Sequence, residues 1–374
     1  MSQALYDDTD GSLAMIRDSA RTFAARRPGP AALRAKREAA RDVDGETWSA
    51  MAESGWTALL LPDDLGGAGF GMREQAVLSE ALGHELVCEP LAAAGVFSSA
   101  LLSAAPASAE RARLGAAIAA GALVAPAWQD GPEPLRATRR GDRMRLDGRK
   151  RFVEGARATA DFLVVAGRGE EALLLGVPAS SGGLRIADRP TVDGARIAEL
   201  AFADVEVGPE RIVASGSAVT ELLDGAVECA RLALAAELAG IAAGAAARTV
   251  AYTRDRVQFG KPIASFQAVQ HRLVDMWMDA ELACASVVRA VEAFDLPDLH
   301  ARRLAVLAAK ARCGEAAMSV CRRAVHLHGA MGFTDEHDIG LYLKRAIALD
   351  ATLGQAETMR LAFIDLENAA RVPA

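Results

Sequence analysis

The chain has 374 residues, of which 51% are hydrophobic, 24% charged and only 5% aromatic, and its net charge is −7 at pH 7. This length allows a sizeable core divided among two or three subdomains. The composition is typical of a helix-rich globular protein, and the acidic balance excludes an ordinary nucleic-acid binder, which would carry a basic excess. No segment has the 18 or more consecutive apolar residues of a membrane span, so neither nucleic acid nor membrane is an expected partner.

The terminus, the cysteines and the histidines favour an intracellular protein without a metal. The first residues, "MSQALYDDTDGSLAMI", are acidic and do not have the basic and then apolar pattern of a signal peptide. The five cysteines form no CxxC pair, which predicts buried free thiols in a reducing cytoplasm. The six histidines include no HExxH motif, and the spacing of His326 and His328 does not predict a metal site.

The first third of the chain, from residue 12 to about 118, is predicted to be helical. In "ETWSAMAESGWTALLLP" the apolar residues Trp48, Met51 and Trp56 lie near helical spacing, and the helix is expected to end at Gly55. The glycine-rich segment "DDLGGAGFGM" that follows has neither G-x-G-x-x-G nor the Lys-Ser/Thr of a phosphate loop. It is interpreted as a connecting loop before the next amphipathic helix.

The periodicity changes to two between residues 120 and 212. The runs "DFLVVAGR", "EEALLLGV" and "AELAFADVEV" are short, apolar or alternating, and separated by Gly, Pro and Asp. In "MRLDGRKRFV" the pair Asp147-Gly148 predicts a tight hairpin turn. Because the strands follow one another without intervening helices, they predict an antiparallel sheet or barrel rather than a dinucleotide fold.

Long helices return from residue 217 to residue 369. The second of them places a row of apolar residues on one face: Phe266, Val269, Leu273, Met276, Trp277 and Ala280. Four long helices with short links favour an antiparallel bundle. The sequence therefore predicts a mostly α, α+β protein with an N-terminal helical domain (1–118), a central antiparallel β-domain (119–215) and a C-terminal four-helix bundle (216–374).

The segment "RDRVQFGKPIASFQAVQHRLVDM" interrupts this helical half. Gly260 and Pro262 predict the end of one helix and a turn, and Ser265 is a plausible N-cap of the next helix. The polar residues around the turn require another explanation. A local one is that Arg256 forms an ion pair at the helix end, with Asp255 or Glu281.

Five segments in the same order resemble those of the acyl-CoA dehydrogenase family across essentially the whole chain. They are "GWTALLLPDDLGGAGF", "GRKRFVEGARATADFLVVA", "ARIAELAFADVEVGPERIV", "YTRDRVQFGKPIASFQAVQHRLVDM" and "AVHLHGAMGF". The resemblance implies the fold of that family and FAD-dependent α,β-desaturation of an acyl-CoA thioester. It also implies an acceptor of the electron-transfer flavoprotein type and a dimer or tetramer formed with itself or with a paralogous subunit.

The resemblance assigns the polar turn to FAD, bound by a neighbouring subunit. Arg256 would pair with the FAD pyrophosphate, Phe259 and Gly260 would shape the contact, and Gln267 would hydrogen-bond to the nucleotide part. A guanidinium offers planar, charged donors to phosphate oxygens, and glycine permits a close approach of the backbone, so the residue types suit these roles.

Two further segments belong to the implied flavin site. In "HLHGAMGF" the residues Gly329 and Gly332 would let the backbone pass beside the dinucleotide, although Ala330 replaces a second glycine that is common in the family. A plain helix C-cap explains these glycines as well. In the β-domain, Phe152 would stack on the flavin ring.

The catalytic base is the main departure from the family pattern. The reaction needs a positioned glutamate, which removes the α-proton while the β-hydride passes to the flavin. The resemblance places that glutamate at one of two positions, which are here Leu353 and Ala230. Weaker candidates are Glu237, Glu228 and Asp350, but for Glu237 the resemblance favours a structural role, with catalysis as the alternative.

The flavin loop departs as well, because Trp128 stands near a position that is usually Thr, and Glu154 replaces another Thr. These departures resemble the shorter, actinobacterial-type members that form α2β2 heterotetramers and act on bulky substrates such as steroid side-chain thioesters. Three hypotheses remain open: a dehydrogenase or a subunit of a heteromeric one, a partner subunit without chemistry of its own, and another flavin-dependent oxidation on this scaffold.

Overall fold

A computed structural model describes residues 2–371 of the chain, and within them it contains eleven α-helices and ten β-strands. The helices are α1 Ser12–Arg26, α2 Gly29–Glu38, α3 Gly45–Glu53, α4 Met72–His84, α5 Ser98–Ala104, α6 Ala109–Ala119, α7 Ala218–Asp255, α8 Gln267–Phe294, α9 Leu299–His328, α10 Ile339–Ala351 and α11 Ala356–Arg371. The strands are β1 Val124–Ala127, β2 Arg136–Arg140, β3 Arg143–Glu154, β4 Asp161–Ala166, β5 Leu173–Pro178, β6 Leu184–Pro190, β7 Arg196–Val207, β8 Ile212–Ser215, β9 Val257–Gln258 and β10 Lys261–Pro262. This order confirms the predicted α+β architecture, with helices at both ends and strands between them.

The chain forms two compact units that do not follow sequence order. The first unit contains the described residues up to Leu33, the segment Met72–Cys88 and everything from Arg231 onward. The second unit contains Arg34–Gly71 and Glu89–Ala230, and thus holds both large sheets. The three-domain division with boundaries near residues 118 and 215 stays a prediction.

Two four-stranded sheets make up most of the second unit. One has the order β1-β4-β5-β8 and the other the order β2-β3-β7-β6. All their pairings are antiparallel, as predicted, except that β1 and β4 run parallel. Fully buried side chains such as Phe162, Leu146 and Leu200 join the sheets in one apolar core, which also includes Trp48 of α3.

The predicted hairpin turn at Asp147-Gly148 is wrong. The turn between β2 and β3 lies at Gly141, whose φ of 64° suits the glycine, and Arg140 pairs with Arg143 across it. Asp147 and Gly148 instead lie inside β3, at a shift in its pairing with β7. Gly148 is required there because an added Cβ would lie 2.6 Å from the oxygen of Pro134. The Asp-Gly pair thus marks a bulge, which uses the same residue types as a turn.

In the first unit α9 packs against α8, α10 and α11. The predicted fourth helix of the bundle is divided into α10 and α11, which are separated by the turn 352–355. Leu353 in this turn has a φ of 55° and Gly354 a φ of 111°, so the chain leaves the helical conformation at two successive residues.

The start of α8 also differs from the sequence interpretation. Ser265 does not cap the helix, because its hydroxyl donates to the carbonyl of Pro262 and α8 begins two residues later. Of the predicted apolar row, Met276 and Ala280 are fully buried, whereas 54% of Trp277 is exposed.

By length and composition, α7 is the one helix within residues 2–371 that is long and apolar enough to cross a membrane. However, 83% of its most apolar window is buried inside the protein. The core helix of a soluble protein has the same properties.

Candidate active site

The segment after α7 is a tight hairpin that presents an aromatic side chain to solvent. Strands β9 and β10 pair across Phe259 and Gly260, whose φ values are 53° and 79°. Two successive residues with positive φ form the type I′ turn that two-residue hairpins favour. A phenylalanine in this conformation costs about 1 kcal/mol, yet 92% of Phe259 is exposed and gains little from packing. Such strain at an exposed aromatic side chain is typical of a contact site.

Arg256 lies at the base of this hairpin. Its backbone N–H donates to Tyr252, and its carbonyl accepts a hydrogen bond from Ile263, both at 2.8 Å, so the backbone is fixed. Within residues 2–371 its guanidinium forms no hydrogen bond and no ion pair, so the local pairing with Asp255 or Glu281 is absent from this part of the chain. The side chain is exposed, and so is that of Gln267 at the start of α8. Both keep their polar groups available for a ligand or another chain.

The second implied dinucleotide segment forms a short 3₁₀ turn, Gly329–Phe333, at the end of α9. Gly332 is buried, and an added Cβ would lie 2.5 Å from the oxygen of Val325, so only glycine fits there. Gly329 has open space but a φ of 62°. The turn leaves Phe333 83% exposed. It thus presents bare backbone and an exposed aromatic side chain, as the hairpin does.

Three aromatic rings support this turn from inside the first unit. The ring of His328 lies 4.1 Å from that of Tyr252 and 4.6 Å from that of His337, between centroids. His328 Nδ1 donates to the carbonyl of Ala324 at 2.8 Å, whereas its Nε2 is buried without a partner among residues 2–371. Burial lowers the pKa of His328 and thereby favours the neutral form of its ring.

In the second unit Trp128 occupies the predicted flavin loop. Its ring stacks on Phe97, with 5.6 Å between centroids, and its carbonyl accepts a hydrogen bond from the buried Lys150 ammonium at 2.9 Å. Lys150 also binds Asp130 at 2.6 Å. Phe97 ends a π-helical segment, Leu91–Phe97, a rare geometry that often occurs near functional sites. The loop is therefore firmly held, but with an indole in place of a hydroxyl group.

Phe152 lies in β3 beside an irregularity in the pairing with β7, between Lys150 and Val153. Its φ is 58°, and 52% of the side chain is exposed, with the guanidinium carbon of Arg151 4.7 Å from the ring centroid. A left-handed phenylalanine with an open ring face is consistent with stacking on a planar ligand. Glu154 is half-buried.

Glu237, on α7, is held by an arginine. Nε and Nη2 of Arg345, on α10, donate to Oε1 of Glu237 at 2.9 and 2.7 Å. Both residues are buried, and a glycine on α4, Gly83, packs so tightly that an added Cβ would lie 2.3 Å from the Glu237 carbonyl. This arrangement favours the structural role for Glu237, an ion pair between two helices.

The other acidic candidates are also built into the scaffold. Asp350 accepts a hydrogen bond from the N–H of Ala356, the first residue of α11, at 3.2 Å. Glu228 is buried on α7 and has a partner. Of the two positions where the resemblance expects the base, Ala230 is buried and Leu353 is half-buried in the turn 352–355.

Sequence reasoning missed the cations that accompany these residues. Arg345 holds Glu237, while Arg231 and Lys310 bind carbonyl oxygens of the turn 352–355 or of the helix end before it. The one available signal was Lys310, a lone lysine within the apolar stretch "LAVLAAKA". A lysine surrounded by apolar residues on a bundle helix indicates a buried, paired ammonium. Within residues 2–371 no group of three or more His, Cys, Asp or Glu could hold a metal ion.

The profile of the acyl-CoA dehydrogenase N-terminal domain matches residues 11–121, and that of the C-terminal domain matches residues 221–364. An acyl-CoA dehydrogenase of Mycobacterium tuberculosis, IpdE2, is 32% identical over 89% of this chain and 90% of its own length. A probable acyl-CoA dehydrogenase of Bacillus subtilis, YngJ, is 28% identical over 93% and 95%.

Solved structures agree with these relatives. The ChsE4-ChsE5 complex of Mycobacterium tuberculosis superposes with a TM-score of 0.88 over the full length of both chains, at 24% identity, which establishes the fold. A variant of the steroid acyl-CoA dehydrogenase Tcur3481-Tcur3483 has a TM-score of 0.84 and 29% identity, covering 96% of this chain and 98% of its own. The chain belongs to the acyl-CoA dehydrogenase family. It is a flavin-dependent oxidoreductase of acyl-CoA thioesters or a subunit of one.

Proposed function

We propose that this chain is the partner-type subunit of a heteromeric acyl-CoA dehydrogenase, in which a paralogous subunit supplies the catalytic base. One observation carries the proposal: Ala230 and Leu353 occupy the two base positions, and Glu237 is held by Arg345. A carboxylate locked to a guanidinium through two donors is poorly placed to take a proton from carbon. The two-subunit names of ChsE4-ChsE5 and Tcur3481-Tcur3483 support an assembly of this kind.

The residues around the hairpin fit the phosphate end of FAD. Arg256 has an exposed guanidinium without a partner among the described residues 2–371, and the backbone at Gly260 has open space around it. We assign Arg256 to the pyrophosphate, Phe259 and Gly260 to the contact surface, and Gln267 to the nucleotide part of FAD bound by a neighbouring subunit. When bound, FAD supplies the acceptor for the β-hydride of the thioester.

The remaining residues have supporting parts in the same site. Gly329 leaves open space for the turn after α9 to approach the dinucleotide, while the buried Gly332 lets the same turn pack closely against Val325. At the ring end Phe152 fits stacking, but Trp128 and Glu154 provide no hydroxyl donor. This chain therefore contributes more to the phosphate end than to the ring end, as expected of a subunit whose own flavin site is incomplete.

The exposed face of α8 supports assembly with another chain. Val274, Trp277, Met278 and Leu282 are between 50% and 54% exposed, and their spacing places them on one side of the helix. Contiguous exposed apolar side chains indicate a protein interface. We infer that a second chain, identical or paralogous, covers this face in a cytoplasmic dimer or tetramer.

The substrate that we propose is a bulky acyl-CoA such as a steroid side-chain thioester, and the electron acceptor is a protein of the electron-transfer flavoprotein type. The steroid named for Tcur3481-Tcur3483 supports this choice.

A visible absorption spectrum tests the proposal directly. The protein is purified alone and together with the product of an adjacent paralogous gene, and each sample is mixed anaerobically with an acyl-CoA. We expect little or no yellow colour for the chain alone, and a yellow complex whose absorbance bleaches. If the isolated chain contains one FAD per chain and its absorbance bleaches with an acyl-CoA, the partner-type assignment is overturned.

A colourless complex with both chains present would exclude any flavin reaction and leave a scaffold. A yellow complex that is reoxidised by oxygen faster than by an electron-transfer flavoprotein would indicate an oxidase instead of a dehydrogenase.

A further inference from the structure

The turn 352–355, between α10 and α11, adopts a conformation that its own sequence does not favour. Leu353 has a φ of 55° and Gly354 a φ of 111°. Glycine adopts such values without strain, but leucine does not, because its Cβ approaches the following carbonyl. A leucine remains in this region only when contacts from elsewhere hold the backbone.

Those contacts come from two cationic side chains on two other helices. Nζ of Lys310, a fully buried residue of α9, donates to the carbonyl oxygens of Leu349 at 3.1 Å, Asp350 at 3.0 Å and Gly354 at 2.9 Å. Nε of Arg231, on α7, donates to the carbonyl of Leu353 at 3.0 Å. The ammonium thus binds two carbonyls at the end of α10, where a cation also interacts favourably with the helix dipole, and one carbonyl of the turn.

The same face of α9 provides space for the turn. Gly314, one helical turn after Lys310, faces the carboxylate of Asp350, and an added Cβ would lie 2.1 Å from its Oδ1. The same oxygen accepts the N–H of Ala356, which starts α11. Lysine, glycine and aspartate together define where α10 stops and α11 starts, and residue 353 lies between them.

We propose that Lys310, assisted by Arg231, is a positioning residue that fixes residue 353, the position at which a catalytic base would stand. The assignment rests on the proposed function, in which position 353 is one of the two positions of a catalytic base. Residue 353 is a leucine and not a glutamate, but the hydrogen bonds from Lys310 and Arg231 still hold the turn. They keep Leu353 in its left-handed conformation. Lys310 itself touches no reacting atom.

Amide hydrogen exchange on the full-length chain, in whichever assembly it purifies, tests this proposal without flavin or substrate. Lys310→Met removes all three donors and keeps a similar shape. We expect exchange of the amides from Leu353 to Glu357 to accelerate at least about tenfold, since several hydrogen bonds are lost together. Lys344→Met on α10, where the lysine is partly exposed, is the matched control and should change nothing at the turn.

A pH series separates positioning from general stability. Burial lowers the pKa of Lys310 to about 8, so above that pH the closed turn contains a neutral amine, whereas a lysine exposed by opening still binds its proton. Opening of the turn then costs more free energy, and the protection of the turn against exchange, corrected for the intrinsic rate, should rise as the pH passes about 8 in the wild type. The rise should vanish in Lys310→Met.

If Lys310→Met does not fold, Arg231→Met provides a second variant, which removes the hydrogen bond from Arg231 Nε to the Leu353 carbonyl. A local acceleration at residues 353–357 would again support the proposal. Unchanged exchange at the turn, or an equal acceleration throughout the first unit, would overturn it. The colour of the protein does not affect this result, so failure of the flavin proposal is distinguishable.

Discussion

At the scale of single residues, the acidic candidates lie on the helices where the sequence places them, but their contacts indicate structural roles. Glu237 lies on α7 as expected, but the guanidinium of Arg345 binds its Oε1 through two nitrogens. Asp350 lies at the end of α10 and caps α11. A carboxylate that holds two helices together cannot move to a substrate without breaking that contact. These contacts give both residues a structural role, in agreement with the proposal that another chain supplies the base.

Glu237→Gln separates the two roles of this carboxylate. We expect flavin reduction in the paralogue complex to stay within about twofold of wild type, because the proposal gives Glu237 a structural role, whereas loss of a catalytic base would slow the reaction by about 10²–10⁴-fold. The melting temperature should fall clearly, because the buried charge of Arg345 loses its counter-charge. Stopped-flow bleaching and thermal unfolding measure the two effects.

Glu357→Gln, on the exposed side of α11, is the matched control and should leave both properties unchanged. A hundredfold loss of bleaching in Glu237→Gln, with FAD still bound, would contradict the structural role and identify Glu237 as a relocated base.

Arg256→Ala should weaken the retention of FAD in the assembly. A charge-assisted contact to phosphate contributes about 1.5–3 kcal/mol, which corresponds to a loss of affinity of about tenfold to over a hundredfold. Equilibrium dialysis or flavin fluorescence measures this affinity. Arg254→Ala, two residues earlier at the end of α7, is the control for a change of surface charge. Equal FAD occupancy in both variants would show that Arg256 is only a surface residue.

At the scale of elements, the turn after α9 depends on a histidine that cannot easily be charged. His328 packs between Tyr252 and His337, and burial lowers its pKa below the ordinary value. The unfolded chain therefore takes up this proton before the folded chain does. Stability that is constant above a pH of about 6.5 is lost as the pH falls below that value.

The change His328→Leu tests this linkage. Melting temperatures recorded between pH 7.5 and 5 should fall more steeply for wild type than for the variant, by up to about 1.4 kcal/mol per pH unit in free energy of unfolding. His300→Leu, at the start of α9, is the control and should keep the wild-type slope. Parallel curves for wild type and His328→Leu would refute the contribution of His328.

At the scale of the whole molecule, the proposed assembly with another chain rests on the strained hairpin tip, the exposed Phe333 and the apolar face of α8. A monomer would leave Phe259 and Trp277 in water without any compensating contact. The absence of a carboxylate at Ala230 and Leu353 and the exposed apolar side chains both support the proposed multi-subunit enzyme.

Trp277→Lys should convert the assembly to smaller species, because a charge on the apolar face of α8 must be desolvated when a second chain covers it. Light scattering with size-exclusion chromatography measures the mass. Leu296→Lys, at an exposed leucine in the link between α8 and α9, is the control and should leave the mass unchanged. A wild-type chain that is a stable monomer and binds one FAD per chain would contradict the oligomer prediction.

The sequence by itself determined the order of elements, since periodicities of 3.6 and 2 depend on neighbouring residues. It located the turn at Gly260, although not the short β-hairpin that forms there, and it showed that residues 230 and 353 carry no carboxylate. It misplaced the turn at Asp147-Gly148, because an Asp-Gly pair serves a bulge as well as a hairpin. The choice between them depends on how β3 pairs with β7, a strand about fifty residues away.

Only the tertiary structure decided which charges meet. Arg345 and Glu237 are 108 residues apart in the chain, and Lys310 reaches Gly354 across 44 residues. No local sequence pattern predicts these pairs, because each forms only when separate helices pack together. The same packing buries both partners. A buried charge without a partner would strongly destabilise the fold, so these charges are buried only where packing brings an opposite charge or several carbonyls to them. That packing cannot be read from the sequence alone.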